Sequence, residues 1–260
     1  MTTHHNHKYK PLRLILLALT LLCVLLASGC STTPKPTANM EPPLHKAEDI
    51  IKGDVVYAVD VYDPLEGFNR RAYTFNYYFD KFIFLPVVKT YEFIMPDFME
   101  RGVSNFVDNV FEFNNFTNNL LQLKIKKTGI TLARFAINTT MGVGGLFDQA
   151  SDLGLKRKTE DFGQTLGHYG VGNGPYLVLP IFGPSNLRDT TGLVTDTVAF
   201  SAAGPPAWVD DDTTTQVFTG VSAVDTRHRQ SFRYYQTGSP FEYDMIRMLY
   251  TAKRDIEIAR

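Results

Sequence analysis

The first thirty residues constrain this chain most, because they have the pattern of an export signal rather than of a folded domain. The segment that ends at Arg13 carries three basic residues and no acidic one, and an almost wholly apolar run follows from Leu14 to Leu26. That run is shorter than the roughly 18–20 residues needed to cross a bilayer. We therefore expect residues 1–29 to be a removed secretory signal rather than a permanent transmembrane helix.

The end of this signal predicts lipid attachment at Cys30. The three small residues before it, Ala27, Ser28 and Gly29, resemble a bacterial lipobox. A lipoprotein cysteine of this type normally carries three acyl chains, and two or more chains anchor a protein stably. By resemblance to known sorting rules, Ser31 predicts the outer membrane, with the body lipid-anchored on the periplasmic side. An ordinary cleaved signal with a chance cysteine is the alternative.

The rest of the chain divides into a tether and one domain. Residues 30–50 contain the acylated cysteine and a Pro-rich segment, which is expected to be extended and semi-rigid. Residues 51–260 are long enough to form a single domain. Three of the 26 basic residues lie in the signal, so the remainder has 23 basic and 27 acidic residues and no electrostatic attraction for nucleic acid. Its lone cysteine excludes an internal disulfide.

Two segments predict helix starts by a capping box. In the first, Asp63 caps, Pro64 takes the first helical position and Glu66 follows three residues after the cap; Ser239 and Glu242 repeat the arrangement near the end of the chain. Behind the first box, apolar residues recur at steps of three and four and predict a helix that ends near Leu85-Pro86. They are Leu65, Phe68, Ala72, Phe75, Phe79 and Phe82.

Similar spacing elsewhere predicts a mainly α domain. Helical stripes run from Met99 to Val110 and from Val217 to Tyr235, whereas strand patterns are confined to Val55–Val61 and Tyr176–Leu179. Val178–Pro184 is expected to form an apolar loop. Most stripes are explained by helices that face one another in a core. The loop and the segment Thr128–Thr140, which is apolar on most sides, fit contact with acyl chains better.

No catalytic or metal-binding constellation stands out. The glycine-rich segments around Gly142 and Gly170 lack the strand-before, helix-after context of a dinucleotide site, so turns or close helix packing explain them better. His168 has no serine singled out beside it, and a hydrogen-bonded structural histidine is the more ordinary interpretation. The histidines are widely spaced, which disfavours a metal site. We expect no enzyme activity and no cofactor.

Several long motifs, in order, resemble the MlaA (VacJ) family of outer-membrane lipoproteins. The first is Asp63-Pro64-Leu65-Glu66-Gly67-Phe68-Asn69-Arg70, and the most specific runs from Phe162 to Gly172. Between them stand Gly102 to Phe106, Arg134-Phe135, Asn138-Thr139 and Met141 to Gly145 with Asp148. The resemblance covers residues 60–195 well and is loose from Val198 to Thr219, where family members have loops near a channel mouth.

The resemblance implies both a fold and a function. MlaA proteins are helical rings in the inner leaflet of the outer membrane, usually beside a trimeric porin. Their central amphipathic channel removes phospholipids mislocalised in the outer leaflet and passes them to the periplasmic carrier MlaC. This retrograde transport maintains outer-membrane lipid asymmetry. The expected fold is therefore a single helical ring-like domain partly embedded in a membrane leaflet.

Site residues follow from these motifs. Those expected to be structural are Asp63, Pro64, Gly67, Asn69, Arg70, Gly167, His168, Tyr169 and Gly170. The candidates for lining or gating the channel are Asn76, Asn138, Thr139, Gly142, Gly144 and Gly145, since a head group needs a polar path through hydrocarbon. Two other functions remain open at this point, a lipoprotein hydrolase and a purely structural or surface lipoprotein.

Overall fold

The computed structural model describes residues 61–209 and 211–260. The signal peptide, Cys30, the tether and all of the Val55–Val61 strand except its last residue lie outside these ranges. The helices are α1 (Glu66–Phe79), α2 (Leu85–Ile94), α3 (Asp97–Leu121), α4 (Ile125–Thr140), α5 (Gln149–Asp152), α6 (Phe162–His168), α7 (Leu187–Ala203), α8 (Asp212–His228) and α9 (Glu242–Ala259). Two strands, β1 (Tyr176–Leu179) and β2 (Gly183–Asn186), lie between α6 and α7. The prediction of a mainly α fold is confirmed.

The buried faces of the helices are mostly polar. In α1, Asn69 and Asn76 are 0% and 2% exposed, whereas Phe75, from the apolar stripe, is 45% exposed. In α4 the buried residues are Thr128, Thr131, Arg134 and Asn138, and the apolar side chains are exposed or only partly buried. Among the described residues, 24 polar or charged residues are buried but only eight apolar ones. The expectation that the stripes mainly face one another in a core is therefore wrong, because the residues off the stripes form the interior.

A small aromatic core remains where α1, β1 and α9 meet. It consists of Ala72, Tyr73, Tyr176, Val178 and Tyr243. The Tyr73 ring packs edge-on against three other tyrosine rings, with centroids 4.9–6.0 Å apart. Edge-to-face packing of this kind adds to the stabilisation from burial. This core joins the two ends of the described chain.

The first helix does not end near Leu85-Pro86 as predicted. A π-helical turn, Asp80–Phe84, follows α1 directly, and α2 continues to Ile94. Proline removes one helical N–H and pushes against the preceding turn. The wider π turn gives space at that point, with the Leu85 N–H bonded to the Asp80 carbonyl. The chain therefore passes Pro86 without leaving the helical path.

Both predicted capping boxes are wrong, although helices follow them. The first residue of α1 is Glu66 rather than Pro64, and the cap position of α1 is Leu65 with no side-chain cap bond. The cap position of α9 is Phe241, again without a side-chain cap bond; Ser239 accepts from the Phe241 N–H at 3.2 Å, but the Glu242 side chain does not bond back to Ser239. Asp63 and Glu242 are instead used in long-range contacts described below.

Three other boundaries differ from the sequence predictions. The α8 helix ends at His228, and turns replace the predicted helix up to Tyr235. Strand β1 matches its prediction, but the expected loop after it returns at Gly183 as β2, which pairs antiparallel with Leu179 opposite Gly183. In the loosely matching region from Val198 to Thr219, the described residues are largely helical rather than loops.

Candidate functional site

Two asparagines of the first helix hold the hairpin. The Asn69 amide donates to the Tyr176 carbonyl (2.9 Å) and accepts from the Val178 N–H (2.8 Å). Two helical turns later, Asn76 donates to the Leu179 carbonyl (3.0 Å) and accepts from the Ile181 N–H (2.7 Å). Each side-chain amide therefore donates to one backbone carbonyl and accepts from one backbone N–H, as a peptide group of an adjacent strand would. These bonds fix β1 along α1.

The start of the first motif connects α1 to α9. Asp63 accepts hydrogen bonds from Asn69 (2.7 Å), Tyr243 and Arg247 (3.2 Å). Arg70 bonds Glu66 at 2.6 Å and Asp244 at 3.2 Å, and its guanidinium lies 4.2 Å from the Tyr243 ring centre. Pro64 and Gly67 are exposed at the surface. Of the five motif residues predicted to be structural, the three polar ones, Asp63, Asn69 and Arg70, make these contacts.

Sequence reasoning missed a second carboxylate at this junction. Glu242 is 2% exposed and accepts hydrogen bonds from the Tyr73 hydroxyl (2.7 Å) and the Thr237 N–H (3.1 Å). Burial alone would raise the pKa of Glu242, but hydrogen bonds from Thr237, Tyr73 and backbone N–H groups lower it overall. Its capping-box spacing concealed this use, because a glutamate three residues after a serine suggests a local partner.

A second polar cluster lies between α3, α4 and α5, centred on Arg134. The guanidinium, 2% exposed, donates to Glu112 (2.8 Å), to Ser151 (3.0 Å) and to the Leu155 carbonyl (2.5 Å). It also donates to Asp148 at 3.1 Å. A buried charge needs this degree of pairing to be tolerated. The side chain therefore fixes the loop after α4 against α3.

Two predicted channel residues belong to this cluster. Asn138 is buried, donates to Asp148 (2.9 Å) and accepts from the Ala150 N–H (2.9 Å). Thr139, which is exposed, accepts from the buried Asn109 amide at 3.0 Å. Burial by itself would raise the pKa of Asp148, but hydrogen bonds from Ser151, Asn138 and Arg134 lower it to about 2. Asp148 is thus an anion held in place by its donors.

The predicted gate glycines form a tight turn at the end of α4. Residues Val143, Gly144 and Gly145 all have positive φ, of 53°, 70° and 96°. A Cβ on Gly142 would lie 2.2 Å from the Phe147 carbonyl oxygen, and one on Gly145 would lie 2.8 Å from Asn109. A Cβ on Gly144 would meet nothing within 4 Å. Two of the three glycines are therefore required by packing, and the third by backbone conformation.

The most specific motif forms α6 and its crossing with α7. A Cβ on Gly192 would lie 2.3 Å from the Gly163 nitrogen, so the two helix backbones touch. Gly167 lies against Ile258, while Gly170 has φ 86° in the following turn. Next to this crossing, Arg254 donates to Asp189 (2.9 Å) as well as to Asp161 (2.7 Å).

His168 lies at the exposed end of this motif. Its ring contacts the Tyr169 ring edge-on, with centroids 5.3 Å apart. The Tyr169 hydroxyl donates to the Leu121 carbonyl at 2.5 Å, which ties the end of α6 to the end of α3. Of the two side chains, the tyrosine is the one whose structural role is defined by a hydrogen bond.

An open apolar groove separates α2 from α8. Its volume is about 620 Å³, within the roughly 300–1,000 Å³ typical of small-molecule sites. The lining residues are Pro86, Val87, Thr90, Tyr91, Ile94, Val217, Gly220, Val221 and Val224. The stripe of Val217, Val221 and Val224 was predicted as core-facing, whereas no helix was predicted for the segment that forms α2. Periodicity therefore located one wall of the groove, but neither the other wall nor the gap between them.

One end of the groove carries titratable groups. The Tyr91 ring packs edge-on against His228, with centroids 5.6 Å apart. His228 Nδ1 lies 2.9 Å from Glu92 Oε1, and its Nε2 lies 3.6 Å from Glu100 Oε2. Burial, and to a smaller extent the charges of Asp225 and Glu100, raise the pKa of Tyr91. Its hydroxyl therefore stays protonated at neutral pH.

The exterior of the described residues is strongly apolar. Phe93 is 90% exposed, Phe182 is 72% exposed and Phe98 is 68% exposed, and they are a few of many such residues. None of the helices in 61–209 and 211–260 combines the length and the apolar character that a bilayer crossing requires. In the same ranges, no group of three His, Cys, Asp or Glu side chains is placed to hold a metal ion.

Comparison with known proteins agrees with the motifs. The chain is 48% identical over 136 residues to an uncharacterized protein of Rickettsia prowazekii, an alignment that covers 52% of this chain and 54% of that one. It is 42% identical over 138 residues to the intermembrane phospholipid transport system lipoprotein MlaA of Escherichia coli K12, covering 52% and 55%. The chain thus spans about half the length of the curated relatives that it matches.

A solved structure extends the comparison. It comes from work on the structural basis for maintenance of bacterial outer membrane lipid asymmetry, and its chain superposes with a TM-score of 0.62 at 32% identity. The superposition covers 75% of this chain and 98% of that one. A family model described as MlaA lipoprotein matches residues 61–257. This chain therefore belongs to the MlaA lipoprotein family.

Proposed function

We propose that this protein is an outer-membrane lipoprotein that removes mislocalised phospholipids from the outer leaflet and passes them inward through an amphipathic channel. In this proposal Cys30 carries the acyl chains, and the helical domain is a ring-like body partly embedded in the inner leaflet. The Escherichia coli relative is named for intermembrane phospholipid transport, which supports the cargo. The inward direction is part of the proposal and comes from the family resemblance. The outcome would be maintenance of outer-membrane lipid asymmetry.

The observation that carries the proposal is the inverted polarity of the domain. Buried residues are mainly polar or charged, and large apolar side chains are exposed on many helices. In water this distribution exposes an unusual amount of apolar surface. In a leaflet it is favourable, because acyl chains surround the exterior and buried polar groups satisfy one another.

The residues proposed for the channel differ in whether their polar side chains are already used in hydrogen bonds within the protein. Asn76 and Asn138 use both ends of their amides to hold the hairpin and the α4–α5 loop. Their proposed effect on the channel is therefore to shape its wall. Thr139 is exposed and better suited to touch a passing head group. The Gly142–Gly145 turn is proposed as the gate because Gly144 has free space around it.

The partners are proposed from the family. A trimeric porin would lie against part of the apolar exterior, and the soluble carrier MlaC would accept lipid on the periplasmic side. Both interactions can be tested by cross-linking in cells from exposed positions such as Phe93 and Phe182. Cross-linking of the porin from one position and of the carrier from the other would show that the two partners bind different surfaces.

A hydrolase remains the competing function. It requires a nucleophile beside a base, whereas the His168 ring contacts Tyr169 and the His228 ring lies between Tyr91, Glu92 and Glu100. No described feature favours this alternative. Release of fatty acid from phospholipid by the purified full-length protein would support it.

The test of the proposed function is the amount of phospholipid in the outer leaflet of intact cells. Deletion of the gene is expected to raise it, the intact gene to restore it, and a Cys30→Ala form to fail. The Cys30→Ala protein must be shown to accumulate and to be exported. An unchanged outer leaflet after deletion, under conditions where a known asymmetry defect is detectable, would contradict lipid removal.

A further inference from the structure

The corner where α3 passes into α4 carries more positive charge than its carboxylate compensates. Lys124 and Lys127 both contact Glu160 Oε1, at 3.3 and 2.7 Å, and that carboxylate is buried. Lys126 is exposed and Lys158 is half-buried, and neither forms an ion pair with any described residue. We call these four lysines the basic corner. Four cations therefore share one buried carboxylate.

Lys158 reaches this corner because its loop packs on the last turn of α3. The Lys158 carbonyl accepts from the Asn119 amide at 3.4 Å, and two residues later Glu160 accepts from the Gln122 amide at 3.1 Å. These contacts use the backbone of Lys158 and leave its ammonium group free. The loop therefore adds a cation to the corner without depending on that cation for its own position.

Helix stability does not explain the lysines. The first turn of α4 contains Lys126 and Lys127 and no acidic residue, although cations at this end of a helix oppose its dipole. Burial lowers the pKa of Lys124, Glu160 raises it and the charge of Lys127 lowers it again, so the net direction is downward. The positive charge at the corner is thus incompletely neutralised, and an additional anion would be stabilised there.

The outer surface around the basic corner is apolar. Leu121, Leu123 and Ile125 are exposed beside the lysines. Leucine and isoleucine that alternate with lysine are typical of segments at a membrane surface, where the apolar side chains enter the acyl region and the ammonium groups stay at the level of the phosphates. This mixture favours a lipid surface over a soluble anion.

The exposed face of α4 changes from basic to uncharged along the helix. Beyond Lys127 its exposed positions carry no charge, and its remaining charged residue, Arg134, is buried. Met141 and Val143 then expose apolar side chains at the far end. From Lys127 to Met141 the axis extends about 21 Å. That length crosses the hydrocarbon of one leaflet, about 15 Å, but not that of a bilayer.

We propose that the basic corner binds the phosphate groups of anionic phospholipids at the periplasmic surface of the membrane, and that α4 runs from there into the hydrocarbon of the inner leaflet. The inference rests on the proposed function, because it needs a domain embedded in that leaflet. It adds the lipid class and the orientation of the domain. Lys126 and Lys158 supply free ammonium groups to the phosphates, and Lys124 and Lys127 add charge.

The first experiment removes the two lysines that have no ion-pair partner. The full-length lipoprotein is released from nanodiscs of equal phosphatidylglycerol and phosphatidylethanolamine, and native mass spectrometry counts the retained lipids. The parent protein should retain phosphatidylglycerol preferentially. Lys126→Gln with Lys158→Gln should lower that preference by about fivefold or more, since one lysine near an anionic surface contributes roughly fivefold. Lys89→Gln with Lys253→Gln removes the same charge from exposed positions of α2 and α9 and should leave it unchanged.

Three results of this experiment would overturn the inference. They are no preference for phosphatidylglycerol in the parent protein, the same preference in the parent and in Lys126→Gln with Lys158→Gln, and an equal loss in both double variants. Displacement of the retained phosphatidylglycerol by inorganic phosphate would also overturn it, because the corner would then bind a soluble anion.

A second experiment measures the depth of α4. Cys30 is the lone cysteine after the signal and is proposed to be acylated, so a nitroxide can be attached to one introduced thiol. Collisions with oxygen and with a water-soluble nickel complex report its depth. A label at Gly129→Cys should lie near the head groups, and one at Ala136→Cys about 10 Å further along the helix should lie in hydrocarbon. Lys253→Cys, at an exposed position of α9, gives the aqueous reference.

This depth measurement also identifies a different occupant. If the Gly129→Cys label meets the nickel complex as often as the reference does, the corner faces water. An acidic protein partner, rather than lipid, would then cover it, and the inference would be refuted.

The cell assay separates this inference from the proposed function. If deletion raises outer-leaflet phospholipid but the lipid preference does not depend on Lys126 and Lys158, the corner is not a lipid site although transport stands. If deletion has no effect while the preference depends on these lysines, the lipid contact stands and the transport proposal fails.

Discussion

Arg134 is the residue on which the α3–α4–α5 cluster depends most. Its guanidinium contacts Glu112, Asp148, Ser151 and the Leu155 carbonyl while almost wholly buried. Removing one partner of a buried ion pair leaves a charge without compensation and costs about 3–5 kcal/mol. We expect Arg134→Met to lower the free energy of unfolding by that amount, measured by denaturant titration in detergent.

The double variant makes this prediction specific. Arg134→Met with Glu112→Leu should be less destabilised than the sum of the two single variants, since neither charge is then left alone. Lys126→Met, at an exposed position of α4, serves as the control and should change stability little. Additive effects in the double variant would show that the pair is not coupled.

Asp148 predicts how this cluster responds to acid. Its pKa is lowered from 3.8 to about 2, so the contribution to stability is complete above pH 4 and is lost as the pH falls towards 2. Because Asp148 is partly exposed, solvent screening reduces the contribution to about 1 kcal/mol. Thermal melts between pH 5 and 2 should therefore decline less steeply in Asp148→Asn than in the parent protein. Asp152→Asn, at an exposed position, should follow the parent curve.

At the scale of elements, the α6–α7 crossing is set by two glycines. A Cβ on Gly192 would lie 2.3 Å from the Gly163 nitrogen and 2.7 Å from its Cα, and backbone cannot give way as a side chain can. We expect Gly192→Ala to destabilise the protein by about 2 kcal/mol or more, as overpacking does. Gly129→Ala, in an open helical position, should instead stabilise by up to about 1 kcal/mol. Equal melting temperatures of the two variants would contradict this account.

The hairpin offers a prediction that resolves single amides. Asn69 accepts from the Val178 N–H, and Asn76 accepts from the Ile181 N–H. Asn76→Ala should therefore raise hydrogen exchange at Ile181 by about ten- to a hundredfold while Val178 stays protected, and Asn69→Ala should do the reverse. Uniform deprotection by either variant would mean that the hairpin opens as one unit rather than residue by residue.

The sequence predicted these elements unevenly, for physical reasons. The sequence patterns located β1 and five of the nine described α-helices (α1, α3, α4, α8 and α9) but not α2, α5, α6 or α7. Where they succeeded, it was because the spacing of apolar residues reflects helix geometry whichever side is buried. That spacing could not say that the Phe75 side of α1 faces outward, since that depends on the surrounding medium. Asp63 and Glu242 were assigned to local caps, and nothing in the sequence indicated their additional partners far along the chain, Tyr243 and Tyr73. The groove was not predicted because the sequence pattern of one helix does not report its distance from another helix.

At the scale of the whole molecule, the apolar exterior predicts association with lipid even without the acylation proposed at Cys30. Many exposed side chains, such as Phe93 and Phe182, would face water if the domain were soluble. We expect an exported Cys30→Ser form to partition into the detergent phase and to float with liposomes. A compact domain that remains in the aqueous phase would favour the structural lipoprotein interpretation over a lipid-embedded channel.

The inverted polarity of the domain has a consequence for how it is made. A chain with so little apolar interior gains less than an ordinary domain from collapsing in water, because the usual driving force for folding acts on surface removed from solvent. Its final packing should therefore be completed on arrival at the membrane. Until then, its exposed aromatic side chains would be open to non-specific association. Mutations of the outer face would then reduce assembly into the membrane before they lowered the thermal stability of the folded protein.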